Sequence, residues 1–90
     1  MINTEQLYLE CVIPERNRNA YYKIISGQDL FGFKLIRCWG RIGTQVKIRS
    51  QKRFADHEEM NKDCQRILRI RMAHGHTIKE KTYTRPTLSC

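Results

Sequence analysis

Trp39-Gly40-Arg41 brings together the one tryptophan of the chain, a glycine and an arginine, the residue types here best suited to holding a ligand. The indole offers a flat face for stacking, and the guanidinium forks onto phosphate or carboxylate. Gly43 follows two residues later; two glycines around an arginine suit a tight strand-to-strand turn, where φ can become positive. Just beyond lie Lys47, Arg49, Lys52 and Arg53. Next to such a turn they form a candidate phosphate track, the plainer alternative being the wetted face of a sheet. The plainer alternatives for the motif itself are a core tryptophan at the end of its strand and an Arg41 paired to a helix carboxylate.

The other reactive side chains point to no catalytic chemistry. His74-Gly75-His76 offers two imidazoles, but no nearby carboxylate or thiol completes a metal site, so both read as surface histidines at a helix end. Cys11, Cys38, Cys64 and Cys90 are spread evenly with no Cys-x-x-Cys pair, unlike a zinc ribbon or redox motif. Cys11, Cys38 and Cys64 read as small core hydrophobes, and Cys90 as a free thiol in a polar tail. With no nucleophile elbow, phosphate loop or HExxH pattern, the expectation is a non-enzyme without metal or cofactor.

Ninety residues make one domain, expected over 1–85 with a short flexible tail at 86–90. Seventeen basic against nine acidic residues give +8, an excess that favours a polyanionic partner, nucleic acid first. The apolar runs are too short to span a bilayer, and Met1–Glu5 has neither a basic start nor an apolar core. The expectation is a cytoplasmic protein with no membrane partner.

The elements that must position these residues follow from periodicity. Leu7, Leu9, Cys11 and Ile13 share a face of a first strand at 7–13, and a breaker-rich turn runs from Pro14 to Asn19. A second strand covers Tyr21–Ser26. A longer connection, Ser26 to Gly32, is expected to tuck Leu30 and Phe31 under the sheet, because adjacent large apolar side chains are costly in water. Phe33–Trp39 is a third strand and Val46–Arg53 a fourth, with Val46 and Ile48 inward and Lys47 and Arg49 outward. Asp56 caps a helix with Glu59 three residues on, and Met60, Cys64, Ile67 and Leu68 form its apolar stripe. Gly75 stops the helix, and Thr77–Thr84 adds a short edge strand. The class is α+β: a four- to five-stranded antiparallel sheet with one helix, about residues 56–74, packed on one face.

Trp39-Gly40-Arg41-Ile42-Gly43-Thr44 resembles the signature of the WGR domain. Asn19-Ala20-Tyr21-Tyr22-Lys23-Ile24 and Asp29-Leu30-Phe31-Gly32 resemble that family's earlier blocks, and Arg71 to His76 its closing block. The likeness runs from about Leu7 to Lys81. Two positions depart from it: Gln45-Val46-Lys47 replaces a usual Gly-Gln, and Gly75-His76 a usual Gly-Tyr. In poly(ADP-ribose) polymerases a WGR domain helps bind DNA breaks and signals to a catalytic region, for which this chain has no room. The resemblance implies DNA-contact roles for Trp39, Arg41 and Asn19, and sets His76 where an aromatic contact residue would stand.

Together these readings describe a small non-catalytic DNA-binding module that recognises ends, nicks or breaks by stacking and backbone contacts. The site would be Trp39, Gly40, Arg41, Asn19, Lys47, Arg49, Lys52, Arg53 and His76. The alternative is a protein-interaction adaptor using the same basic surface, and RNA is a third partner class. Oligomeric state is left open.

Overall fold

The computed structural model describes residues 2–84, and the side chains of residues 4–83. The tail expected at 86–90, with Cys90, lies outside the described residues. Strand β1 (Ile2–Ile13) leads through a 3-10 turn at Pro14–Arg16 into β2 (Arg18–Asp29). Next come β3 (Gly32–Arg41), β4 (Ile48–Phe54), α1 (His57–Ala73) and β5 (Thr77–Thr84). The strands form one antiparallel sheet in the order β4-β3-β2-β1-β5, with α1 across it. This is the α+β architecture expected from the periodicity.

Alternation along the strands builds two apolar faces. Leu7, Leu9, Tyr22, Ile24 and Leu35 meet Met60, Cys64 and Ile67 of α1 in the main core, with Leu68 against its side. The helix begins where sequence places it: Asp56 Oδ1 accepts from Glu59 N at 2.9 Å, satisfying one of the orphan donors of the first turn. Gly75, at φ +99°, ends it in the left-handed region that glycine tolerates best. On the bare face, Tyr21, Ile36 and Cys38 form a smaller cluster, flanked by Tyr8, Ile25 and Ile42. Cys11, Cys38 and Cys64 are buried free thiols. Burial raises the pKa of Cys38, and it pushes that of Cys64 to about 11.

Three local expectations are corrected. Residues 26–32 are not a long connection. β2 and β3 pair down to Asp29 opposite Gly32, so Leu30 and Phe31 alone make the hairpin apex. They are 87% and 86% exposed rather than tucked under the sheet. Val46 precedes β4, and both Val46 and Ile48 are exposed. The reason is a register shift: Ser50 pairs with Arg37 but Ile48 with Cys38, so Arg49 is an extra residue and Ile48 lies on the bare face. Trp39, Gly40 and Arg41 belong to β3 itself, and the turn begins at Ile42.

Candidate functional site

In the β2–β3 ladder Tyr22 stands opposite Trp39, so both rings project from the helix-covered face. They stack with centroids 5.6 Å apart and planes 8° from parallel. Arg37, two residues before Trp39 on β3, lies on the same face. Its Nε donates to Tyr22 Oη at 2.6 Å, and its guanidinium carbon is 5.4 Å from the Trp39 ring centre and 5.8 Å from that of Tyr22. From the last turn of α1, Arg71 brings its guanidinium to 5.0 Å from the Tyr22 ring centre. His76 meets the edge of Tyr22 at 6.1 Å. Two aromatic planes and two guanidiniums thus hold one another in a fixed stack, each cation–ring contact contributing about 0.5–1 kcal/mol where exposed.

Beside this stack opens a recess of about 250 Å³. Arg18, Tyr22, Arg37, Trp39, Arg71 and His76 line it, and no carboxylate does. Arg71 Nε is buried with no hydrogen-bond partner among the described residues, an unsatisfied donor beside the recess. Trp39 is 38% exposed: neither a core residue nor a free flag, it rests on Tyr22 and leaves the remainder of its surface open to solvent. His76, read from sequence as a surface histidine, is 4% exposed and forms part of the floor, its Nδ1 3.1 Å from the Arg71 carbonyl oxygen. Burial is the main influence holding its pKa below the usual 6.5; the Arg71 carbonyl pulls the other way.

Gly40 and Arg41 serve different ends. Gly40 has no positive φ; its need is space, since a Cβ there would lie 3.2 Å from the Tyr21 ring on the bare face. The positive φ belongs to Gly43, at +94°, in the turn after the strand. Alternation returns Arg41 to the face of Trp39. Its guanidinium reaches Asn17, with Nη1 and Nη2 each 3.4 Å from the carbonyl and side-chain oxygens. Asn17 can offer both because it sits at φ 51°, a conformation asparagine visits more readily than most residues. Arg41 therefore has neutral partners and makes no ion pair among the described residues, contrary to the helix-carboxylate alternative. Asn19 is exposed next to it, its carbonyl oxygen accepting from Ile42 N at 2.9 Å.

The basic run after the turn is divided. Arg49, at the bulge, donates from Nε to the Trp39 carbonyl at 3.3 Å and stays beside the motif, and exposed Lys47 lies in the preceding loop. Lys52 and Arg53 lie toward the other end of the sheet. Arg53 pairs with Lys34 in the ladder, five residues and roughly 17 Å along β3 from Trp39. It is bound to Asp29 at 2.6 Å, while Lys52 lies over the Phe54 ring at 5.1 Å. The structure thus gathers Trp39, Gly40, Arg41, Asn19, Lys47, Arg49 and His76 at one end and leaves Lys52 and Arg53 out.

Tyr22, Arg37, Arg71 and Arg18 were not singled out from sequence. The signal was present for two of them. Once the hairpin apex is fixed at Leu30-Phe31, paired residue numbers sum to 61, which sets Tyr22 against Trp39, and Arg37 is one pleat away. Arg71 and Arg18 come from a helix end and the start of β2, which only the tertiary fold unites with the motif.

Among the described residues no group of histidine, cysteine and carboxylate side chains could hold a metal ion, and no helix is long and apolar enough to cross a membrane. A family model described as WGR domain matches residues 5–82. No curated protein and no solved structure matches the chain.

Proposed function

The chain belongs to the WGR domain family, and from that premise we propose that it is a DNA-binding module for ends, nicks or breaks. The WGR domain is a non-catalytic module associated with nucleic-acid binding. The observation that carries the finer reading is the half-buried Trp39 braced on Tyr22, with Arg41 beside it engaged only by neutral groups. A braced indole stacks on an exposed base or sugar face without first being ordered, and such a face is open at a duplex end or nick. Arg41, Arg37, Arg49 and Lys47 supply positive charge for the flanking phosphates. Stacking and phosphate contacts do not read base edges, so recognition is of structure rather than sequence.

The test is a fluorescence-anisotropy titration of the protein against intact circular, nicked and blunt-ended duplexes. With about four phosphates neutralised, log affinity falls with log salt at a slope of roughly −3.6. Nicked and blunt duplexes bind more tightly than the circle, and matched RNA competes less well than DNA. A slope near zero, or equal affinity for closed and open duplexes, overturns the reading.

A further inference from the structure

At the opposite end of the hairpin that carries Trp39, Leu30 and Phe31 stand almost fully exposed on a two-residue apex. Neither is a turn-forming residue, and leaving both in water costs on the order of 1.5–3 kcal/mol per side chain relative to burial. The apex is nevertheless held firmly. Asp29 Oδ1 accepts from Phe31 N at 2.9 Å, its Oδ2 takes Arg53 at 2.6 Å, and that guanidinium lies over the Phe31 ring at 6.0 Å. Gly32 runs at φ +135°, where a Cβ would come within 2.9 Å of the Phe54 carbonyl oxygen. A rigid apolar prong of this kind is prepared for burial in something.

Charge decides what. Residues 2–6, 26–34, 52–60 and 81–84, which the ladders and the start of α1 bring to this end, hold five carboxylates against four cations. The other described residues hold twelve cations against four carboxylates. Among the described residues the prong end is therefore nearly balanced in charge, so a second +8 chain can approach it without general repulsion, and it lacks the positive field a polyanion needs. One face of Phe31 is also covered by Arg53, which suits insertion between bases poorly. Beside the prong lies a cavity of about 210 Å³ lined by Glu5, Gln28, Phe33, His57 and Met60 among others. Prong and cavity share this end of the sheet, so each copy can offer the other both halves of a twofold contact.

We propose that the Leu30–Phe31 apex is a dimer contact, each copy setting its prong against the prong and cavity of a second copy. An aromatic side chain buries roughly 150–250 Å² when covered. Two phenylalanines and two leucines with their rims then fall short of the ~1,200 Å² of a stable interface, so the dimer is weak and concentration-dependent. In such a pair the two Trp39 ends face outward, away from the contact.

Sedimentation equilibrium of the nuclease-treated full chain in about 0.5 M salt, from micromolar to millimolar, tests this. The weight-average mass rises from 10.8 kDa toward twice that value with concentration. The double variant Leu30→Ser/Phe31→Asn, checked for folding by circular dichroism, stays monomeric, while Arg41→Ala associates as the parent does. A constant mass of one chain overturns the proposal. So does association that Leu30→Ser/Phe31→Asn retains, that Arg41→Ala loses, or that nuclease and salt abolish as a polyanion tether. Duplex binding by the monomeric variant is unaffected, so failure here leaves the DNA reading standing.

Discussion

Replacing Trp39 by alanine separates binding from folding, and the structure sets both magnitudes. Burying a tryptophan fully and then deleting it costs about 3–5 kcal/mol. Trp39 is 38% exposed, and its main support is one parallel ring contact with Tyr22 and one guanidinium. Scaled for exposure, the loss is about 2–3 kcal/mol. A ninety-residue domain has roughly 5–13 kcal/mol of stability, so the variant folds with a lowered midpoint. Loss of base stacking is worth about 1–3 kcal/mol, which is roughly 5- to 150-fold in affinity for an open duplex end. Binding should be followed by anisotropy at a salt where the parent has a submicromolar Kd, with circular dichroism melts on the same samples. A folded variant that binds ends as the parent does removes the indole from the interface. An unfolded one means that Trp39 is a core residue whose contact with Tyr22 holds the fold rather than displays the ring.

Three further outcomes are expected. His76 has its pKa held down in the folded state, so the unfolded chain takes up that proton first as pH falls. Its contribution is complete above about pH 6.5 and is lost as pH drops through the lower folded value, and melts of His76→Asn should show a shallower decline between pH 7 and 5 than the parent. Gly40→Val forces two methyls toward the Tyr21 ring and should cost about 1–3 kcal/mol in chemical denaturation, whereas a valine at Gln45, an exposed loop residue, costs far less. Cys11, Cys38 and Cys64 should resist a thiol reagent in native buffer and react in guanidinium; rapid native labelling of Cys64 would contradict its burial between α1 and the sheet.

Where sequence reading succeeded, a local rule and the tertiary environment agreed. Asp56, Met60, Cys64 and Ile67 announce the helix because its cap and its stripe are both written at helical spacing, and the sheet simply accepts that stripe. Where it failed, the deciding fact was not local. Leu30-Phe31 hid a tight hairpin because its apex is apolar, and with the apex misplaced the pairing of Tyr22 with Trp39 could not be counted out. The bulge at Arg49 has no signature in Val46–Arg53, yet it moves Ile48 to the bare face and keeps Arg49 beside Trp39. Of the site, the motif residues were legible as types suited to stacking and phosphate. The recess was not, because Arg18 and Arg71 reach it from elements whose relative placement no spacing encodes.

The outermost strand β5 has one more consequence. Among the described residues it is the last strand of the sheet, with Lys79, Glu80 and Lys81 at its middle. Where such a ribbon zips antiparallel onto its own twin about a twofold axis, a residue stands against itself, so a pairing centred on Lys79, Glu80 or Lys81 opposes lysine to lysine or glutamate to glutamate. The margin of the sheet thereby refuses its own image, and growth into endless ribbons is discouraged at the very place where unpaired backbone would invite it.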